Sequence, residues 1–252
     1  MVWIKNRLVF ILVFSVINYC YSQHIVVNYK IITYGDFIEK KTENRNSDVV
    51  EKINNSFQLV NLMRMHLKAT QTESVYWGDN KVNSGADERY FNLAKLYINN
   101  DDIYFTNLKE GIISKSFNAF EKDFVIHNLI SNVKWILHKD SKFINKYKCF
   151  KATTFYEIKN PKGVFRKEVV AWYTLDIPYR FGPKNFSGLP GLILEVRDDN
   201  IIYVADVIEF KAEDIVIEVN AKGENITQKK LDDMAEEAMD NRRKLAKSKR
   251  RN

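Results

Sequence analysis

The run Ala171-Trp-Tyr-Thr-Leu-Asp-Ile-Pro-Tyr-Arg-Phe-Gly-Pro-Lys-Asn-Phe-Ser-Gly-Leu-Pro-Gly-Leu-Ile-Leu-Glu-Val196 decides how the chain is read. All four prolines and four of the nine glycines fall between Pro161 and Gly191, so backbone punctuation is concentrated here. Two β-rich runs, Glu168–Leu175 and Leu192–Val196, flank a loop stiffened by Pro178, Pro183 and Pro190 and turned at Gly182, Gly188 and Gly191. Proline fixes φ and removes a donor, while glycine opens positive φ. Such a loop has one preferred shape. It contains no assembled reaction centre.

On the N-terminal side of this loop the chain reads as consecutive short strands. His24–Tyr34 alternates, with Ile25, Val27, Tyr29 and Ile31 on one face. Glu39–Asn55 reads as a polar loop with a short helix at Asp48–Asn54, and Phe57–Leu67 as a strand despite fitting neither period cleanly. Thr72–Trp77 is extended into the Gly78-Asp79-Asn80 turn, and Lys81–Arg89 is a polar loop. Further strands are expected at Lys95–Ile98, Ile103–Asn107, Gly111–Phe117, Asp123–Leu129, Lys134–His138 and Lys148–Ile158, with Lys139-Asp140-Ser141 a separator and Asn160-Pro161-Lys162-Gly163 a hairpin turn. Beyond the loop come Ile201–Phe210, apolar on both faces and therefore central, and Ile215–Val219. Gly223 ends the β region, and Thr227 caps a helix running to about Lys247. Close spacing and tight turns call for antiparallel pairing. The expected fold is mainly β (α+β): a curved antiparallel sheet or half-barrel with a C-terminal helix. Its segments are 1–22, 23–222 as one β-rich domain, and 223–252 as helix and basic tail.

The first 22 residues have the form of a signal peptide. Lys5 and Arg7 precede the apolar run Leu8–Ile17, and Cys20 and Ser22 stand before a cut that leaves Gln23 first. Bulky Tyr19 argues against acylation of Cys20. Export is expected, to the periplasm first, with the cell surface or secretion as alternatives. Without Cys20, Cys149 stands alone and no disulfide can form. The formal charge of +7 is misleading: Lys5, Arg7 and seven bases at 242–251 account for it, leaving 30 basic against 32 acidic residues in 23–240. A nucleic-acid interface wants a basic face with interleaved aromatics, which the body lacks. The tail is either a solvated end or a contact for an acidic membrane surface.

Candidate chemistry is sparse. Cys149 with His127 or His138 could form a thiol–base pair, but it reads better as a half-buried strand residue. Four histidines at no ligand spacing give no metal site, and no cofactor motif is present. Asp101-Asp102 and Asp198-Asp199 suit turns better than calcium. Ser187-Gly188 lacks the helix start of a nucleophile elbow, and Pro190 spoils a phosphate cradle. No catalytic residue is assigned. The candidate binding residues are those of the loop and adjoining strand: Trp172, Tyr173, Asp176, Pro178, Gly182, Pro183, Phe186, Gly188, Leu189, Pro190 and Gly191.

These segments carry a resemblance. Gly188-Leu-Pro-Gly-Leu-Ile193, Trp135 in V-K-W-I-L, Y-K-C-F-K-A at Tyr147–Ala152, A-W-Y-T-x-x-I-P at Ala171–Pro178, Gly182-Pro183 and Phe186 occur in the order found in the GLPGLI family of exported Bacteroidetes proteins. The chain resembles that family over residues 25–220, loosely in its first half. The resemblance implies export and a gene often encoded near those of outer-membrane TonB-dependent transporters, and supplies no catalytic residues. The reading it favours is a non-enzymatic envelope protein that binds a hydrophobic or peptide ligand, or an outer-membrane transporter or other envelope protein. A hydrolase using Asp176 with Glu195 is the enzymatic alternative. A loop that only closes the sheet is the structural one.

Overall fold

A computed structural model of the chain describes residues 24–33, 47–79, 87–160, 163–213, 215–218 and 222–249. The expected signal peptide at 1–22, the Pro161-Lys162 part of the expected hairpin turn and the end of the basic tail lie outside them. The fold is mainly β, as expected. Its strands are β1 (His24–Thr33), β2 (Arg64–Ala69), β3 (Glu73–Gly78), β4 (Ile103–Asn107), β5 (Ile112–Ala119) and β6 (Lys122–Leu129), then β7 (Ile136–Ile144), β8 (Tyr147–Asn160), β9 (Gly163–Thr174), β10 (Leu192–Asp198), β11 (Ile201–Lys211) and β12 (Glu224–Asn225). They form one open sheet in the order β12-β6-β5-β4-β3-β2-β1-β11-β10-β9-β8-β7. Each of β2 to β6 lies beside its sequence neighbour, as does each of β7 to β11. The N-terminal strand joins these two meanders by pairing with β11 from His24↔Lys211 to Thr33↔Ile201.

One face carries the main core, where Ile25, Val27, Tyr29 and Ile31 of β1 meet Met65, Leu67, Tyr76 and Tyr203. The sheet curls over this core. Asn145, in the β7–β8 turn, donates its side-chain amide to the Ala205 carbonyl of β11 at 3.3 Å. In a flat sheet β8 and β11 stand three strand spacings apart, about 14 Å. The hairpin therefore folds inward. β11 is interior, with Ile201, Tyr203 and Ala205 buried while Ile202 and Val204 opposite are half-covered.

Among the described residues three helices accompany the sheet: α1 (Ser47–Leu62), α2 (Glu88–Ile98) and α3 (Gln228–Lys249). Two of them correct the sequence reading. The segment Phe57–Leu67 is not a strand but two elements joined at Met63. Ser56, Phe57 and Val60 are buried at helical spacing, and then Met63, Met65, Leu67 and Ala69 are buried by alternation. Two clean periods meeting at one residue look like no period at all. Lys95–Ile98 is the last turn of α2, not a strand. Asp87 caps that helix by accepting from the Arg89 amide at 2.9 Å, and Asn99 ends it in the left-handed region at φ 53°. The caps outweigh the short apolar run.

Smaller corrections follow the same logic. Lys139-Asp140-Ser141 does not separate strands; it lies inside β7, where the register with β8 shifts between Leu137 and Ser141. Residues 215–218 form no strand, and β12 beyond Gly223 pairs in parallel with β6. Ile226 then buries against Phe117, Phe124 and Ile126, with Leu231 and Met234 of α3 packing on the same cluster. Most of α3 beyond Met234 is exposed.

Candidate functional site

The loop between β9 and β10 serves both faces of the sheet. Ile177, Tyr179 and Phe181 enter the main core, whereas Phe186 and Leu189 join Ala152, Val169, Ala171, Tyr173, Ile193 and Val196 in a second cluster. Backbone bonds hold it in place: Leu192 N–H to Ile177 O at 2.9 Å, Ile193 N–H to Phe181 O at 3.0 Å and Gly188 N–H to Arg180 O at 3.0 Å. The Arg180 guanidinium donates to Gly188 O at 3.1 Å, and the Trp135 indole donates to Ser187 O at 2.9 Å. Gly188 has φ +92°, a region glycine enters without strain. At Gly191 an added Cβ would lie 1.8 Å from Thr174 O, so only glycine lets the loop touch β9.

This geometry divides the sequence-derived binding residues. Tyr173, Gly182, Pro183, Phe186, Leu189 and Gly191 are buried, Leu189 to 1 % exposure, and Trp172 and Gly188 are half-buried. Asp176, Pro178 and Pro190 are exposed, together with Arg180. The apolar side chains of the motif thus spend themselves on the core. A partner approaching the loop would meet the exposed set.

Of the two carboxylates in the enzymatic alternative, Asp176 is exposed and Glu195 is half-buried. Both Glu195 oxygens accept from Lys142 Nζ, at 2.8 and 2.7 Å, and that ammonium also sits 4.5 Å from the Trp172 ring centroid. Cys149 beside them is buried, and burial pushes its thiol up to about 11. It is a poor nucleophile. The histidines are occupied structurally: His66 bridges Asn28 and Asp79 at 2.7 Å each, His127 lies between Ser114 and Asn225, and His138 meets Thr153. Among the described residues no group of three or more His, Cys, Asp or Glu is placed to hold a metal ion, and no helix is long and apolar enough to cross a membrane.

Lys184, which no sequence motif singles out, is buried and donates to Asp198 at 3.2 Å, with the Tyr203 ring 4.8 Å away. Burial opposes its charge, but Tyr203, Asp198 and Tyr104 outweigh that and move its pKa upward. Tyr156 donates to the other Asp198 oxygen at 2.8 Å, and Lys167 reaches Asp199 at 2.9 Å. The Asp198-Asp199 turn therefore ties the loop to the β8–β9 hairpin.

A feature shaped like a ligand site lies elsewhere among the described residues. Between α1 and α2 runs a groove of about 470 Å³. Val49, Ile53, Phe57 and Val60 of α1 and Ala94 and Tyr97 of α2 line it. Leu93 and Leu96 form a rim, Leu96 being 74 % exposed. Its size and apolar lining match small-ligand pockets. Sequence reading missed it because α1 was cut short and α2 read as a strand. A usable signal is the recurrence of Val49, Ile53, Phe57 and Val60 at helical spacing.

Residues 162–195, spanning β9, the loop and the start of β10, match a Bacteroidetes-associated family described as a protein of unknown function (Porph_ging). Two solved structures of PNGF-II, a Bacteroidetes protein, in the C2 and P21 space groups, resemble 84 % of this chain with TM-scores of 0.51 and 0.50 and identities of 13 % and 12 %. The chain spans about a third of PNGF-II, 32 % and 33 % of the two chains. At this identity the likeness is one of fold. No curated protein matches the sequence.

Proposed function

We propose that the chain is a GLPGLI-family protein, exported to the cell envelope, that acts without catalysis as a binding protein for a hydrophobic ligand. The observation that carries this reading is the apolar groove between α1 and α2. Export is supported by the basic Lys5/Arg7 start and the apolar Leu8–Ile17 run. An outer-membrane transporter is the partner the family resemblance favours. The exposed loop residues Asp176, Pro178, Arg180 and Pro190 are the part of the motif such a partner would reach, and the basic 242–251 tail suits an acidic membrane surface.

The test is a fluorescence titration of the mature chain with the neutral probe Nile red. Saturable binding that weakens in Leu96→Asp, a change at an exposed rim position, is the expected result. No binding, or undiminished binding in that variant, would remove the groove from consideration.

A further inference from the structure

We infer that the groove takes an amphiphile with an aliphatic tail and an anionic head, the head lying at Lys52; this rests on the reading of the groove as a ligand site. Lys52 is the sole charged residue in the lining, and Ser56 the only side chain there whose hydroxyl is aliphatic. The Ser56 hydroxyl is spent on the Lys52 carbonyl at 2.7 Å, so it does not compete for the ammonium. Among the described residues Lys52 makes no ion pair. Asp48 and Glu51 share its helix, but neither lines the groove. On α2, Lys95 is already taken by Asp101 at 2.7 Å and Arg89 by Asp87 at 2.6 Å, which among the described residues of the two helices leaves Lys52 as a cation on offer.

A lysine in this position covers apolar surface with its methylene stem and keeps its ammonium at the water boundary. A neutral ligand would leave that ammonium without a counter-charge beside an apolar chain. A cationic one would be repelled. A carboxylate or similar anion at the mouth, with its chain along Val49, Ile53 and Val60, satisfies both requirements. Because Lys52 is exposed, the electrostatic preference is modest.

The experiment titrates the full chain with cis-parinaric acid and with its neutral methyl ester at slightly alkaline pH and low salt. The acid is expected to bind about five-fold tighter than the ester, the discrimination an exposed ion pair supports. Lys52→Gln is expected to weaken the acid alone and erase the difference, and Lys52→Glu to reverse it. Equal binding of acid and ester to the wild type, or a preference that survives Lys52→Gln, would overturn the anionic head while leaving the groove as an apolar site. Failure of both probes and of Nile red would overturn the groove reading as well.

Discussion

Tyr29 and Gly191 both fix the short piece of backbone that opens β10. The register between β9 and β10 shifts between Ile193 and Glu195, and the Ile193 carbonyl accepts the Tyr29 phenol from across β11 at 2.8 Å. Gly191, two residues earlier, lies against the Thr174 carbonyl with no room for a side chain. Gly191→Ala is therefore expected to lower stability by about 1–3 kcal/mol or more, read by urea denaturation, while Pro190→Ala at an exposed position changes it little. Equal effects of the two would refute the close-contact account. Cys149 gives a pH signature. Its folded pKa is raised from 9.0 to about 11 by burial, so the folded state holds that proton more tightly than the unfolded one. The contribution is complete below pH 9 and is lost as pH rises toward 11. Denaturation at a series of pH values should show Cys149→Ala losing less stability across this window than the wild type. An equally steep fall in the variant would mean that other groups, such as the buried phenols, carry it.

Among the elements, α3 behaves as two parts. Leu231 and Met234 pack on Phe117, Phe124 and Ile126, whereas Met239 and Leu245 are 50 % and 63 % exposed. Truncation after Asp240 should leave the melting temperature within a degree or two of the full chain, since little buried surface is lost. A large drop would show that the distal turns are packed in solution. The elements legible in the sequence were those with one period and a turn at each end: β1, β3, β4, β5, β6, β8, β9, β10, β11 and α3. Misread elements had competing local signals. The α1–β2 junction hid two periods in one run, and α2 hid behind four residues that suit a strand. The Pro/Gly loop was legible as rigid, but not as buried. Its glycines advertise unusual backbone, and only the fold shows that the backbone is unusual because β9 is in contact with it.

For the whole molecule, the decisive contact was the least legible. Pairing within each meander is local and follows from turns, but β1 meets β11 across nearly the whole chain. No sequence period announces such a partner. That closure places the α1–α2 layer, with α1 packing near β1, and so leaves the groove open beside the sheet. The free edge β7 also exposes Leu137 and Phe143, but the irregular Lys139-Asp140 stretch within it is a common guard against strand addition. The measurement that separates these surfaces is a methyl NMR titration of the full chain with hexadecanoic acid. Shifts are expected at Val49, Ile53, Val60, Leu93 and Leu96, with Leu137 and Leu189 unmoved. Shifts at Leu137 or Leu189 with the groove methyls silent would contradict the claim that the ligand lies between the two helices.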